Sequence, residues 1–235
     1  NIDWSNIGFG YMKTDYNVRC CYRNGAWGEI EVSSDENLNL HMAATCLHYG
    51  QEAFEGLKAF RGKEGKVRIF RLEANAERLQ NTCDGILMPK VSVELFREMV
   101  TKVVTLNKDY IPPYESGASL YIRPFIIATD PFLGVKPAET YLFMVILSPV
   151  GAYYPEGLNP VKIFVEDDYV RAVRGGIGFA KTPGNYAASI RAQEKAYELK
   201  YTQVLWLDGV ERKYIDEVGA MNVFFVIDDV VITPT

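Results

Sequence analysis

The chain has 235 residues, of which 48% are apolar and 23% charged, a balance typical of a folded chain that buries one or two hydrophobic cores. Its net charge of -5 and pI near 5.2 exclude a basic nucleic-acid-binding or membrane-surface protein. No apolar run approaches the roughly 20 residues that span a bilayer, and the first residues lack a secretory pattern. We expect a cytoplasmic protein whose partners are small molecules, not nucleic acid or a membrane.

Metal and disulfide chemistry are disfavoured by the few residues that could support them. The four cysteines are irregularly spaced, contain no C-x-x-C pair and are expected to be reduced thiols. The two histidines are His41 and His48, and no G-x-S-x-G motif accompanies them. No metal site is predicted, and the chemistry is expected to depend on lysine, tyrosine, arginine or carboxylates.

Residues 1–150 are predicted to form a small α/β domain. Alternating polarity, helical spacing of apolar residues up to Pro89, and runs of β-branched and aromatic residues are the signals. The predicted elements are a strand, two helices and two further strands, at residues 66–72, 72–88, 92–105, 119–130 and 140–150.

A segment rich in proline, glycine and asparagine, residues 151–160, is predicted to be an interdomain linker. A second domain is expected over residues 161–235. Its predicted elements are a strand at 161–167, a helix from Asn185 through Tyr197 with the Asn185 side chain as its cap, and two hairpins that turn at Asp208-Gly209 and Asp228-Asp229.

The stretch GGIGFAKTPGNYAASIRAQ, residues 175–193, places glycines around a single lysine, Lys181. A phosphate-binding Walker A loop requires a second glycine where Ala180 stands, and the dinucleotide pattern requires its last glycine where Lys181 stands. A nucleotide-binding loop is therefore disfavoured, although a nucleotide-binding protein stays an alternative.

Other candidates for chemistry accompany Lys181. A catalytic lysine must have a neutral amine for part of the time. Tyr186 follows closely enough to direct its phenol at the same place, and the later segment IDEVGAMN supplies Glu217 and Asn222. Spacing alone leaves two interpretations open: an α/β enzyme that uses lysine chemistry, or a solvated loop lysine beside a core tyrosine and an exposed carboxylate.

Six segments in order resemble the signature blocks of the branched-chain amino-acid aminotransferases, enzymes of fold type IV that use pyridoxal 5′-phosphate. The segments are HYGQEAFEGLKAF (48–60), YIRP (121–124), PVGAYYP (149–155), GGIGFAKTPGNYAASIRAQ (175–193), VLWLDG (204–209) and IDEVGAMN (215–222). The resemblance covers nearly the whole chain and implies an α/β (α+β) two-domain fold in which residues 161–235 are part of a large cofactor-binding domain.

The resemblance implies a set of cofactor-binding residues. Lys181 matches the lysine that binds the cofactor covalently and moves a proton, Glu217 the acid that pairs with the pyridine nitrogen, and Tyr186 the phenol beside the cofactor's oxygen. Arg78 matches the phosphate-binding arginine; its alternative is a solvent-facing helix residue. Arg171 and Asn222 are further expected contacts.

The resemblance also implies substrate-binding residues and a partner. The side-chain pocket is expected to include Tyr49, Phe54, Tyr121, Arg123 and Tyr153, with core packing as the alternative for Phe54 and Tyr121. Arg123 and the phenols are expected to receive the distal carboxylate of glutamate. Leu133 and Val135 match a loop that reaches the neighbouring subunit's site, so a homodimer is expected.

The implied reaction is transamination between L-leucine, L-isoleucine or L-valine and 2-oxoglutarate. Alternatives are a D-amino-acid aminotransferase, an aminodeoxychorismate lyase, and the nucleotide-binding protein. The resemblance leaves the preferred branched-chain substrate and the biosynthetic or catabolic direction open. Because the family continues beyond the final strand, we expect an incomplete large domain, and a crystal of such a chain could lack the cofactor.

Overall fold

The structure, a computed structural model, describes residues 2–151 and 159–233. The chain separates into two compact units, Asn1–Gly157 and Leu158–Thr235. The division falls inside the predicted linker 151–160, most of which lies outside the described residues. Across the described ranges, each helix is too short or too polar to cross a membrane.

An antiparallel sheet forms the framework of the first unit. Its strands are β1 (Asn17–Arg23), β2 (Ala26–Trp27), β3 (Glu31–Ser33), β4 (Glu52–Phe54), β5 (Leu57–Arg61), β6 (Val67–Ile69), β7 (Ser119–Ala128) and β8 (Tyr141–Val150). Their order is β2-β1-β8-β7-β5-β6, with β3 on β1 and β4 on β7. The two long strands predicted from composition are confirmed as β7 and β8, which pair along their whole length.

Two long helices cover one face of this sheet. The helices of the first unit are α1 (Thr45–Tyr49), α2 (Leu72–Gly85) and α3 (Val93–Leu106). Leu79 of α2 and Phe96 of α3 are fully buried in one core with Ile122 of β7 and Phe143 of β8. Burial of each such side chain stabilises the fold by about 1.5–3 kcal/mol. The apolar spacing that predicted both helices therefore marks the faces that contact the sheet.

Local backbone contacts set the ends of these helices. The prediction carried α2 to residue 88, but the helix ends at Gly85, and Leu87 adopts a left-handed conformation with φ +55° that cannot continue it. The Met88 N–H then donates to the Cys83 carbonyl at 2.8 Å, which satisfies one of the last carbonyls of the helix. At the start of α3, Ser92 accepts a 3.1 Å hydrogen bond from the Leu95 N–H.

The second unit combines a parallel and an antiparallel strand pair. Its elements are β9 (Ile163–Glu166), α4 (Pro183–Ala187), α5 (Ile190–Glu198), β10 (Gln203–Leu207), β11 (Ile215–Val218), β12 (Phe225–Ile227) and β13 (Val230–Ile232). The parallel strands β9 and β10 are connected through α5, as parallel pairing requires a crossover. Ala192 and Ala196 of α5 pack on Val204 and Trp206 of β10.

The single helix predicted from Asn185 is wrong in two respects. The helix begins earlier, at Pro183, a position where proline is tolerated because the first N–H needs no helical partner. It then divides into α4 and α5 around Ser189. Asn185 lies inside α4 and is not its cap; its side-chain amide donates instead to the preceding loop.

The two predicted hairpins are present with different turns. β12 and β13 pair across Asp228-Asp229, and both aspartates have positive φ, as a tight two-residue turn requires. β10 and β11 also pair, but their connection extends well beyond Asp208-Gly209. The Asp208 carboxylate organises this connection by accepting hydrogen bonds from four backbone N–H groups; the donors are Val210, Glu211, Lys213 and Tyr214.

We expect Asp208→Ala to lower the melting temperature at pH 7, because four backbone donors would lose their acceptor. These hydrogen bonds hold the pKa of the Asp208 carboxyl below its usual value of 3.8. A depressed pKa means that the stabilisation is complete above pH 3.8 and is lost as the pH falls below it. Thermal unfolding followed by circular dichroism should therefore show a difference between variant and wild type that shrinks below that pH.

The matched control is Glu211→Ala, since Glu211 contributes its backbone N–H to the same connection and its side chain is exposed. That variant should melt as the wild type does. Equal melting temperatures of Asp208→Ala and wild type at pH 7 would contradict the structural role of the carboxylate.

Candidate active site

A glycine-rich loop precedes Lys181 in the second unit. Gly175 has φ +83°, and a side chain at Gly178 would lie 2.5 Å from a neighbouring methyl group. These positions favour glycine for backbone conformation and for close packing, respectively. The Asn185 amide fixes the loop by donating hydrogen bonds of 2.8 and 2.7 Å to the carbonyls of Ile177 and Ala180.

Lys181 lies in direct contact with the phenol predicted to accompany it. Its Nζ donates a 2.6 Å hydrogen bond to Tyr186 Oη and lies 5.0 Å from the centroid of the Tyr186 ring. The start of α4 at Pro183 turns the chain between the two residues. The amine and the phenol can therefore exchange a proton or share one ligand atom.

Arg171 joins the other members of this group. Its Nε lies 3.4 Å from Glu217 Oε2, its Nη1 donates to the Asn185 carbonyl at 3.2 Å, and its Cζ is 5.2 Å from the Tyr186 ring centroid. The Arg171 side chain is only 11% exposed. A guanidinium held in this way fixes the positions of the carboxylate and the phenol together.

Glu217 lies on β11, opposite Trp206 of β10. Partial burial raises the pKa of the Glu217 carboxyl above its usual value, while the positive charges of Arg171 and then Lys181 oppose that rise. Lys181 is thus close enough to act on the carboxylate electrostatically. The structure brings together four of the predicted residues: Lys181, Tyr186, Arg171 and Glu217.

Asn222 has a local structural role. Its exposed side chain accepts hydrogen bonds from its neighbour, the Val223 N–H, at 2.8 Å and from Thr233 Oγ1 at 2.9 Å. These contacts hold the base of the β12–β13 hairpin. The expected contact between Asn222 and a cofactor stays a prediction.

In the first unit, Arg78 pairs with an acid that the sequence did not single out. Arg78 Nε and Nη2 donate to Glu55 Oε1 and Oε2 at 2.7 and 2.6 Å. The Glu55 side chain is fully buried, whereas the Arg78 side chain is 54% exposed. Arg78 is therefore not a freely solvated helix residue, because a buried partner sets its orientation.

Three predicted substrate residues form one cluster in the first unit. The Arg123 guanidinium carbon lies 4.6 Å from the Phe54 ring centroid and 5.3 Å from that of Tyr121, and Nη2 donates a 2.8 Å hydrogen bond to Tyr121 Oη. Tyr121 and Arg123 are half-buried, on the strand face opposite Ile122. A side chain at Gly56 would lie 2.3 Å from Tyr121 Oη, so this phenol needs glycine beneath it.

The remaining predicted substrate residues are more exposed or are not described. Tyr49 ends α1, is 44% exposed and has its ring 6.1 Å from that of His48. Leu133 and Val135 lie between β7 and β8 and are 73% and 87% exposed. Tyr153 lies outside the described residues. The structure therefore leaves the substrate roles of these four residues as predictions.

A cavity of about 1100 Å³ opens in the first unit beside the Arg78 side chain. Among the residues that line it are Lys58, Arg68, Arg71 and Arg78, together with Tyr121. The opening is large enough for a small-molecule ligand. Its cationic wall suits a negatively charged group.

Sequence reasoning missed two residues of this arrangement. Glu55 lies inside the quoted block 48–60, and a glutamate between alternating strand residues is a signal for a buried ion pair. Asn185 was interpreted as a cap, although the sequence offered no signal that its amide returns to the glycine loop.

An amine in contact with a phenol, beside a half-buried carboxylate and a guanidinium, defines a site for covalent lysine chemistry on a carbonyl compound. The chain belongs to the class IV aminotransferases: residues 52–235 match the family described as amino-transferase class IV.

Known proteins of this kind match nearly the whole chain. It is 52% identical over 234 residues to "Branched-chain-amino-acid transaminase 1" of Bacillus subtilis, covering 99% of the chain and 65% of that protein. The chain thus spans about 65% of that relative's length. The crystal structure of the branched-chain amino acid aminotransferase of Escherichia coli has a TM-score of 0.77 and 28% identity, covering 94% of this chain and 68% of that one.

A further solved structure carries a ligand in its description. It is a branched-chain amino acid aminotransferase complexed with N-(5′-phosphopyridoxyl)-L-glutamate, from the organism abbreviated T.th.. It has a TM-score of 0.69 and 27% identity, with 90% of this chain and 65% of that one covered. The predicted α/β class and fold type IV are confirmed by the family match and these structures.

Proposed function

We propose that the protein catalyses transamination between branched-chain L-amino acids and 2-oxoglutarate, with pyridoxal 5′-phosphate as cofactor. The observation that carries this proposal is the 2.6 Å contact between Lys181 and Tyr186, with Arg171 and Glu217 alongside. The 52% identity to a branched-chain transaminase supports the substrate class. The expected products are branched-chain 2-oxo acids and L-glutamate.

The residues of the second unit fit this cofactor chemically. Pyridoxal phosphate, when bound, supplies an electron-withdrawing ring that stabilises negative charge on the substrate's α-carbon. Lys181 supplies an amine for its aldehyde, Tyr186 a hydroxyl within 2.6 Å of that amine, and Glu217 a carboxylate for a pyridinium N–H. The half-buried position of Glu217 strengthens such a charge-assisted hydrogen bond.

Lys181 is the residue that moves the proton in this proposal. Its Nζ takes the proton from the substrate's α-carbon and returns it, and positioned proton transfer contributes typically about 10²–10⁴-fold. Tyr186 orients the amine through the hydrogen bond that Lys181 donates. Arg171 holds the Glu217 carboxylate and the Tyr186 ring in place, and Asn222 is proposed as a further cofactor contact.

The cluster of Phe54, Tyr121 and Arg123 is proposed to bind the substrate's side chain. Aromatic surface favours an apolar side chain by burial, and a guanidinium favours the distal carboxylate of glutamate. The Arg123 Nε is buried without a hydrogen-bond partner among the described residues, which supports a role in receiving an acceptor. Tyr49, Tyr153, Leu133 and Val135 are proposed to complete the pocket.

Further parts of the proposal depend on the resemblance alone. We propose a homodimer in which the loop containing Leu133 and Val135 reaches the neighbouring subunit, and a cytoplasmic location. The small domain at residues 1–150, the linker at 151–160 and the cofactor-binding domain at 161–235 remain part of this proposal.

An amino-donor assay of the full-length protein with 2-oxoglutarate tests the substrate class. We expect L-leucine, L-isoleucine and L-valine to be used and D-alanine to give less than about a hundredth of their kcat/KM, a difference of more than about 2.7 kcal/mol. Preference for D-alanine would contradict the proposed substrate and favour a D-amino-acid aminotransferase. Pyruvate release without an amino acceptor would favour a lyase.

The nucleotide-binding alternative makes a separate prediction. It requires ATP to raise the melting temperature while pyridoxal phosphate has no effect. We expect the reverse, since the residues that contact Lys181 are a phenol and its associated carboxylate and guanidinium.

A further inference from the structure

Glu55 places a carboxylate in the interior of the first unit. The residue lies between β4 and β5, its side chain is fully buried, and its backbone N–H donates to the Pro124 carbonyl at 2.8 Å. Burial of an ionised carboxylate is costly unless the charge is paired and hydrogen-bonded. Such a group therefore needs a fixed cationic partner.

Arg78 is that partner, and the pairing is bidentate. The two carboxylate oxygens accept from Arg78 Nε and Nη2 at 2.7 and 2.6 Å, and Glu55 Oε2 also accepts from the Gly56 N–H at 3.2 Å. A fork of this kind fixes the plane of the guanidinium and its rotation. The orientation of Arg78 is thus set from the protein interior.

The opposite side of the same guanidinium lies at the cavity. Arg78 remains 54% exposed while its partner is buried, and it lines the opening of about 1100 Å³ together with Lys58, Arg68 and Arg71. A guanidinium has five N–H donors, and the fork to Glu55 uses one edge. A pre-oriented donor on a cationic wall suits a phosphate monoester, which has several acceptor oxygens.

We propose that Glu55 is a positioning residue that orients Arg78 for the phosphate of a phosphate monoester ligand. This inference rests on the proposed function, in which that ligand is pyridoxal phosphate. Because Glu55 acts through Arg78, it should discriminate between the cofactor and the same molecule without its phosphate. A role limited to folding would affect both ligands equally.

The test compares the affinities of the apoprotein for pyridoxal phosphate and for pyridoxal, measured by equilibrium dialysis of the full-length protein. In Glu55→Gln, one acceptor becomes an amide donor that faces the Arg78 N–H groups. We expect affinity for pyridoxal phosphate to fall about 10- to 100-fold, as for a lost hydrogen bond between charged groups, and affinity for pyridoxal to stay within about twofold of wild type.

The matched control is Glu73→Gln, because Glu73 of α2 pairs with Arg97 at 3.0 Å on the exposed surface of the same unit. It should change neither affinity. In an Arg78→Lys background, Glu55→Gln should no longer alter the ratio of the two affinities. If Glu55→Gln does not fold, Glu55→Asp, which keeps the charge but shortens the reach, should lower the same ratio.

Three results would overturn the assignment. One is an unchanged ratio in a folded Glu55 variant, and another is an equal loss of both ligands, which indicates a general structural role. The third is a Glu55 effect that persists in Arg78→Lys. If wild-type protein binds neither ligand, the proposed function itself is wrong, whereas a normal wild-type preference for pyridoxal phosphate with an unchanged variant ratio contradicts only the role of Glu55.

Discussion

Lys181→Ala is expected to lower kcat for transamination from L-leucine by at least about 10⁴-fold, the upper end of what positioned proton transfer contributes. The variant loses the amine that contacts Tyr186 at 2.6 Å, so it loses both the covalent attachment and the proton carrier. The visible absorption band that pyridoxal phosphate gives with wild-type protein should also disappear. Steady-state assays and one absorption spectrum measure both effects.

Lys213→Ala is the matched control. Lys213 lies in the same unit, is exposed, and has its Nζ 5.4 Å from the Tyr214 ring centroid. That variant should keep the band and its activity within about twofold of wild type, as surface substitutions usually do. Turnover by Lys181→Ala within about tenfold of wild type would be incompatible with the proposed role of the lysine.

Glu217→Gln is expected to have the second largest effect, a fall in kcat of about 10²–10³-fold, which is typical for loss of one preorganised electrostatic group. Glutamine has the same size but cannot supply the negative charge that keeps a bound pyridine nitrogen protonated. Arg171 would also lose the partner that lies 3.4 Å from its Nε. The measurement is kcat for L-leucine at saturating cofactor, so that weaker cofactor binding does not enter.

Asp216→Asn is the control, because Asp216 is the adjacent residue on β11 and points to the other face of the strand. It should retain nearly full activity. If the two variants lost activity equally, the effect would belong to the strand and not to the Glu217 carboxylate.

The raised pKa of Glu217 adds a test on stability in the absence of ligand. Because burial raises this pKa above 4.5, the folded state holds the proton more tightly than the unfolded state does. Stability from this group is therefore complete below pH 4.5 and falls as the pH rises through the raised pKa. Glu217→Gln should remove that decline from the pH dependence of the melting temperature.

Helices and strands with a strong apolar pattern were predictable. The faces of α2 and α3 follow residues that the sheet buries, and β7 and β8 combine length with β-branched composition. The Asp228-Asp229 turn was also readable, since aspartate tolerates the positive φ that the turn imposes. In these elements, local preference and tertiary packing favour the same structure.

The first strands were missed although one signal was present. Asn24-Gly25 connects β1 to β2 with positive φ at both residues, which is a strong short-range indication of a hairpin. Its flanks, NVRCCYR and AW, lack a regular alternation of polar and apolar residues. Burial in the eight-stranded sheet, not local pattern, makes β1 a strand.

The chemistry of the site was predictable in part. Lys181 and Tyr186 are five positions apart, so a turn was enough to join them. Arg78 and Glu55 come from different elements, and their pairing depends on how α2 packs on the sheet. The division of the helix at Ser189 likewise depends on tertiary contacts, because the apolar pattern continues across it.

The most direct test of the proposed chemistry is to identify the protein amine that holds the cofactor. The full-length protein with pyridoxal phosphate would be treated with borohydride, digested and mapped by mass spectrometry. We expect a single pyridoxyl-phosphate adduct on the peptide that contains Lys181. An adduct on any other lysine, or an unmodified Lys181 in protein that transaminates L-leucine, would contradict it.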